Sequence, residues 1–116
     1  MTHNIIEYCL QKNGATKDFP FGFDPMVIKI AGKMFALIFE NKGNYAYINL
    51  KCDPVIAGNL REQHESVRPG YHMNKKHWNT IVLDGSLPES DIYLMIDHSY
   101  DRVVQNLPKS LRQTIY

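Results

Sequence analysis

The stretch Met26-Val27-Ile28-Lys29-Ile30-Ala31-Gly32-Lys33-Met34-Phe35-Ala36-Leu37-Ile38-Phe39-Glu40 sets the architecture of this chain. Met26, Ile28 and Ile30 alternate with Val27 and Lys29, Gly32 sits where a tight reversal needs it, and residues 34–40 have strand composition on both faces. The segment reads as an antiparallel hairpin. Just beyond it, Asn41-Lys42-Gly43-Asn44 supplies a second turn. Ala46, Ile48 and Leu50 then point one way while Tyr45, Tyr47, Asn49 and Lys51 point the other. Three antiparallel strands result, and the alternation over residues 78–83 adds a fourth.

Helices flank this sheet in the reading. Thr2 caps a helix over residues 3–12, whose apolar residues Ile5, Ile6, Cys9 and Leu10 share a face before Asn13-Gly14 stops it. Residues 15–24 mix Phe19, Phe21 and Phe23 with Pro20 and Gly22, which is turn chemistry carrying apolar anchors, so they read as a pinned loop. Asp53-Pro54 is a helix start, with an Asp oxygen to cap free amides and a proline where no donor is needed, and that helix runs to about His64. Ser86 or Ser90 caps a last long helix, in which Ile92, Met95, Ile96, Ser99, Tyr100, Val103 and Leu107 keep one face. Pro108 interrupts it, and residues 110–116 form a short final turn or a frayed end.

Composition bounds what such a chain can do. Its 116 residues suit one domain, and a 44% hydrophobic share supports a core without disulfide staples. Thirteen Lys and Arg against twelve Asp and Glu give a formal charge of +1, so attraction to polyanions has to be local. Cys9 and Cys52 have no CxxC spacing, and no apolar run approaches the ~20 residues of a membrane span. The expected setting is a reduced cytoplasm, with no membrane partner.

Local charge is found in residues 66–83, where Arg68, Lys75 and Lys76 occur without Asp or Glu and beside His72 and His77. Interleaved with them are Tyr71, Asn74, Trp78 and Asn79. The segment thus combines groups that pair with phosphate and groups that stack on or hydrogen-bond to bases. The competing reading is a solvated basic loop with Trp78 anchored in the core. Tyr45 and Tyr47, with Lys29 and Lys51 on the same surface, form a second candidate that reads equally as tyrosines covering a half-exposed sheet.

Catalytic and metal chemistry find fewer supports. No two of His3, His64, His72, His77 and His98 stand one helical turn apart within a helix, neither cysteine lies near His72 and His77 in sequence, and a closed zinc site needs four ligands, so no metal is expected. Asp97-His98-Ser99 resembles a hydrolase triad in composition only, because adjacent helical residues diverge by ~100°. His98 reads as a helix residue satisfied by a carboxylate or a carbonyl, and the two cysteines as packing residues. The glycine-rich phosphate loop and the dinucleotide fingerprint are both absent. The expectation is a protein without catalytic residues or cofactor.

The run Val67-Arg68-Pro69-Gly70-Tyr71-His72-Met73-Asn74-Lys75-Lys76-His77-Trp78-Asn79-Thr80, followed by Leu83-Asp84-Gly85, resembles the MmcQ/YjbR family of small bacterial proteins. The likeness extends through Asp18-Phe19-Pro20-Phe21-Gly22, Asn49-Leu50-Lys51-Cys52-Asp53-Pro54, Asp97-His98-Ser99-Tyr100-Asp101 and Leu107-Pro108-Lys109. It implies a two-layer α+β fold related to frataxin-like and secretion-chaperone-like architectures, with hairpins likened to paired DNA-binding wings. It also implies a DNA-binding role.

Together these readings predict a single α+β domain over residues 1–116, with an antiparallel sheet of four or more strands packed by helices. The partner is DNA, bound weakly and with strong salt dependence through about three to five phosphate contacts. Arg68, Lys75 and Lys76 meet phosphates, Asn74, Trp78 and Asn79 shape or contact the groove, and Tyr71 stacks. No helix has the basic face of a recognition helix, so hairpins make the contacts. The alternative is a small-ligand- or protein-binding module in which residues 71–78 wall a pocket. Assembly is as a monomer or a weak homodimer.

Overall fold

A computed structural model describes residues 1–41 and 43–115. The turn read over residues 41–44 includes Lys42, and the terminal segment reaches Tyr116; these two positions lie outside the described residues. The hairpin that opens the sequence argument is present as β2 (Met26–Ile30) and β3 (Lys33–Phe39), preceded by α1 (Thr2–Leu10) and β1 (Ala15–Asp18). Next come β4 (Tyr47–Lys51), α2 (Pro54–Gln63), β5 (Val67–Pro69), β6 (Trp78–Val82), α3 (Glu89–Gln105) and α4 (Lys109–Ile115). Ile30 pairs with Lys33, so Ala31 and Gly32 form a two-residue turn, with φ of +50° and +78°. That left-handed pair matches the right-handed twist of the flanking strands.

The six strands form one sheet in the order β1-β2-β3-β4-β6-β5, and every neighbouring pair is antiparallel. With the helices stacked on it, the fold is α+β. Two strands lie outside the sequence expectation. β1 occupies the start of the segment read as a loop, and its residues are mostly exposed, so it shows no alternation. β5 is only three residues long and ends on a proline, which restricts it to a sheet edge.

The strand alternation divides the interior in two. Ile28, Ile30, Phe35, Ile38, Ile48, Leu50, Val67 and Ile81 face the helices and are buried with Ile5 and Cys9 of α1 and with Ile92, Ile96, Tyr100, Val103 and Val104 of α3. Val27, Leu37, Phe39 and Trp78 form a smaller cluster on the opposite face, flanked by Met34, Tyr47 and Met73, and no helix contributes to it. Ser99, fully buried, stitches α3 to the sheet: its Oγ donates to the Phe35 carbonyl at 2.6 Å and accepts the Lys51 N–H at 2.9 Å. The Tyr100 ring meets Phe35 edge-on at 5.4 Å, and its hydroxyl donates to the Asn13 carbonyl at 2.6 Å.

The helix starts differ from their expected caps. Met1, not Thr2, precedes α1, and Pro88, not Ser86 or Ser90, precedes α3. Ser86 instead donates its hydroxyl proton to Asp84 at 2.6 Å. Asp53 does precede α2 but makes no capping bond with its side chain. Its backbone N–H donates to His98 Nε2 at 3.1 Å, so a ring on α3 holds the entry to α2.

Candidate nucleic-acid interface

The residues singled out around the basic segment separate into two groups once the strands are in register. β6 lies between β4 and β5, and side chains pack over both of its faces, α2 and α3 on one and the Val27, Leu37 and Phe39 cluster with Met73 on the other. Trp78, at 8% exposure, packs with Val27, Leu37 and Phe39, and Asn79, at 2%, points to the helices. Asn79 Oδ1 accepts the Arg61 Nε–H at 2.7 Å, and Arg61 also donates to the carbonyls of Trp78 and Lys75. Neither Trp78 nor Asn79 can touch a groove, which corrects their assignment. Arg61 is likewise turned inward and ties α2 to the loop after β5.

The remaining candidates stay at the surface. Residues 70–77 connect β5 to β6, and this loop is pinned at its base. Gly70 N–H donates to the Trp78 carbonyl at 2.9 Å, Tyr71 N–H donates to Thr80 Oγ1 at 2.9 Å, and Asn49 Nδ2 donates to the Tyr71 carbonyl at 3.0 Å. Thr80 Oγ1 in turn donates to Asn49 Oδ1 at 2.5 Å, which closes a buried polar network under the loop. Gly70 is required there, because a Cβ would lie 2.7 Å from Trp78 Cβ and 2.9 Å from its carbonyl oxygen. His72 holds a left-handed conformation at φ +61°. The Asn74 side chain accepts the Lys76 N–H at 2.9 Å, and Lys75 Nζ folds back to the Gly70 carbonyl at 2.9 Å. Asn74 and Lys75 therefore shape the loop first, whereas Tyr71 and Lys76 are exposed on it and Arg68 is exposed on the neighbouring edge strand β5.

Among the described residues the ion pairs are Lys12 with Asp97 and Lys29 with Asp18, so no carboxylate lies within ion-pair distance of Arg68, Lys75 or Lys76; Asp84, whose carboxyl is held below its ordinary value mainly by Ser86, is near enough to feel the Arg68 charge as well. Arg68 shares a depression with Tyr47 and Tyr71. On the helix-free face Tyr47 stacks on Phe39 with centroids 4.6 Å apart and meets Tyr71 edge-on at 6.1 Å, and Tyr71 lies 4.0 Å from the His72 ring. Burial raises the Tyr47 phenol above its ordinary value, helped by Tyr71 and the Asp24 charge, so its hydroxyl stays protonated. With Phe21 from the 19–25 loop and Met73, these rings surround a hollow of about 450 Å³. A second shallow depression of about 480 Å³ continues past Tyr71 to Arg68 and Val82. Phe21 and Tyr71 are 66% and 52% exposed, far more than rings committed to a core. Sequence reading undervalued this surface. Tyr47 was visible on the correct face of its strand, but the loop phenylalanines carried no sign of which face they would reach.

The other candidates resolve as structural. Asp97 accepts from the Tyr8 hydroxyl at 2.6 Å and from Lys12, His98 accepts from Asp53, and Ser99 bonds to the sheet, so the three adjacent residues diverge into separate contacts. Tyr45 lies before β4 and is exposed. Cys9 and Cys52 are unpaired and buried, and burial pushes their thiols up to about 12 and about 11. Among the described residues no helix is long and apolar enough to cross a membrane, and no cluster of His, Cys, Asp and Glu is arranged to hold a metal.

The sequence and the fold both have bacterial relatives. The chain is 40% identical over 111 residues to the uncharacterised protein YjbR of Escherichia coli strain K12, covering 96% of this chain and 93% of that one. It is 33% identical to the uncharacterised protein YyaQ of Bacillus subtilis, covering 84% and 92%. The crystal structure of Deinococcus radiodurans protein DR2400 matches with a TM-score of 0.91 at 30% identity, over 99% of this chain and 87% of that one. A Pseudomonas syringae protein follows with a TM-score of 0.76 at 29% identity, over 88% and 97%. The YjbR family model matches residues 10–102, and with that span and those relatives the chain belongs to the YjbR family.

Proposed function

We propose that the protein is a non-enzymatic nucleic-acid-binding module that takes an extended single strand of DNA across the helix-free face of its sheet. The observation that carries this reading is the meeting of exposed rings, Tyr71 and Phe21 beside Tyr47, with Arg68 on the same surface and Lys76 exposed on the adjoining loop. Rings stack on bases without regard to sequence, and cations pair with the backbone. A single strand fits better than a duplex, since stacking needs bases out of the helix and no helix of this fold offers a basic face to a groove.

Fluorescence anisotropy with single-stranded and duplex oligonucleotides tests the reading. Single strands bind more tightly, Tyr71→Ala weakens them about tenfold or more, and Arg68→Ala with Lys76→Ala weakens both forms and flattens the salt dependence. Curves identical to wild type for both variants would remove this face from nucleic-acid binding.

A second reading, a small-ligand site in the same hollow, is favoured by its concavity and by Asp24. One Asp24 oxygen accepts the Glu40 N–H at 3.0 Å and the other is buried without a partner. In that case a free nucleoside or a small aromatic amine shifts the amide resonances of Asp24, Tyr47 and Tyr71, and oligonucleotides bind no better than it does.

A further inference from the structure

On the opposite face, α2 and α3 run antiparallel across the sheet. His98 of α3 meets the start of α2 at Asp53, while His64, just past the end of α2, borders the same cleft as Asp91 in the first turn of α3. Leu50 and Ile81 of the sheet floor this cleft of about 300 Å³, and Ile56, Leu60, Leu94 and Met95 wall it. Leu94 is 66% exposed and Ile56 43%, so the mouth is apolar as well as the floor. A cavity of that size with apolar walls is at the small end of ligand sites, where a few placed polar groups fix what enters.

Charge is distributed unevenly along it. At the Cys52 end, the positive Arg102 and the negative Asp53 both act on the Cys52 thiol and on the His98 ring, so the two signs offset one another there. His98 Nε2 is already taken as the acceptor of the Asp53 N–H. Lys51 borders the cleft but adds no cation to it, because its register with Trp78 turns the side chain to the helix-free face. Asp91 stands at the far end, and its carboxylate has no ion pair or side-chain hydrogen bond among the described residues. His64 lines that end as well, beyond ion-pair distance of Asp91, and its neutral ring offers an acceptor nitrogen. The cleft is therefore an apolar trough that ends in one uncompensated negative charge.

We propose that the α2–α3 cleft binds a primary amine on an unbranched apolar chain, its ammonium held by Asp91 and His64 and its chain laid toward Cys52 and His98. An ammonium brings three donors, enough to meet the Asp91 carboxylate and the His64 nitrogen together. Asp91 and His98 lie seven residues apart on α3, a span of about 10 Å that a chain of about eight carbons matches. A carboxylate in the same place would face the Asp91 charge, and an alcohol would forgo the ion pair. This site lies on the face away from Tyr71 and stands apart from nucleic-acid binding.

The test is an amide-resonance titration of the intact protein with octylammonium, octanoate and 1-octanol. Octylammonium shifts the resonances of residues 50–52, 60–64 and 91–98 saturably and binds about tenfold more tightly than 1-octanol, the worth of one charge-assisted hydrogen bond, with octanoate weaker still. Asp91→Asn, which keeps the shape of the side chain, reduces that preference to about twofold or less and leaves 1-octanol unchanged. Leu94→Ser, at an exposed position, weakens both molecules with the spectrum otherwise intact. Absence of saturable cleft shifts with folded wild-type protein overturns the proposal. So does equal binding of octylammonium and octanoate, a preference that survives Asp91→Asn, or shifts confined to the aromatic hollow around Tyr47 and Tyr71.

Discussion

Ser99 and Gly70 show how much a single position can carry in this fold. Removing the Ser99 hydroxyl strands two buried backbone groups, the Phe35 carbonyl and the Lys51 N–H, and each such loss costs about 1–3 kcal/mol. Ser99→Ala is expected to lower stability by about 2–4 kcal/mol in urea denaturation, and a cost below 1 kcal/mol would mean the two strands' contacts with α3 do not depend on it. Gly70→Ala drives a Cβ into the Trp78 backbone, and overpacking of this kind costs about 1–3 kcal/mol. Because the same glycine sets the base of the 70–77 loop, the variant is also expected to lose oligonucleotide affinity. The sequence marked Gly70 only as a breaker of periodicity. The steric need arises from a partner eight residues away in a strand pairing that no local pattern encodes. Trp78 and Asn79 follow the same logic: alternation alone suggests one outward residue in each pair, whereas here α2 covers Asn79 on one face and Val27, Leu37, Phe39 and Met73 cover Trp78 on the other.

At the level of elements, the joint between α2 and α3 is sensitive to protonation. Burial, and then the Arg102 charge, lower the affinity of His98 for a proton from its ordinary 6.5, while Asp53 and Asp101 oppose the shift only in part. The unfolded chain consequently binds that proton more readily. The contribution of His98 to stability is complete above about pH 6.5 and declines as pH falls below it toward the folded value, where Nε2 stops accepting the Asp53 N–H. Urea midpoints measured at about pH 7.5 and pH 5 are expected to fall with acidity, and His98→Leu is expected to flatten that part of the profile. A variant with the wild-type slope would assign the titration elsewhere. The first three helices and the four central strands were legible from apolar spacing, while α4, with no buried residue to give it a face, read only as a final turn or frayed end. β1 and β5 were not, because edge strands of three or four mostly exposed residues hold their place through ladder hydrogen bonds rather than through a hydrophobic face. His98 as an acceptor was equally hidden, since the donor it meets is a backbone group 45 residues earlier.

For the molecule as a whole, near balance of charge limits what a polyanion can gain. With Arg68 and Lys76 exposed and Lys75 turned back to its own loop, about two to three phosphates are within reach of neutralisation. The slope of log K against log salt for a single strand is then expected to be about −2. A slope beyond about −4 would require cations outside this face. The resemblance in sequence to its family anticipated the layered α+β arrangement, since a fold depends on patterns spread along the entire chain. The aromatic hollow was less visible because it is assembled from four separate segments that meet only after the sheet closes.

Both thiols of the chain are sequestered, Cys9 fully buried on the inner face of α1 and Cys52 at 5% exposure in the hollow between α2 and α3. Thiolate is the reactive species, and neither sulfur forms it readily at neutral pH. The protein thus contains its own clock for structural opening. Alkylation by iodoacetamide is expected to proceed at Cys9 only as fast as the whole body unravels, while Cys52 registers the separation of two helices. Mass spectrometry of the two peptides would read those events independently, and equal labelling rates would mean that the molecule opens in one cooperative step.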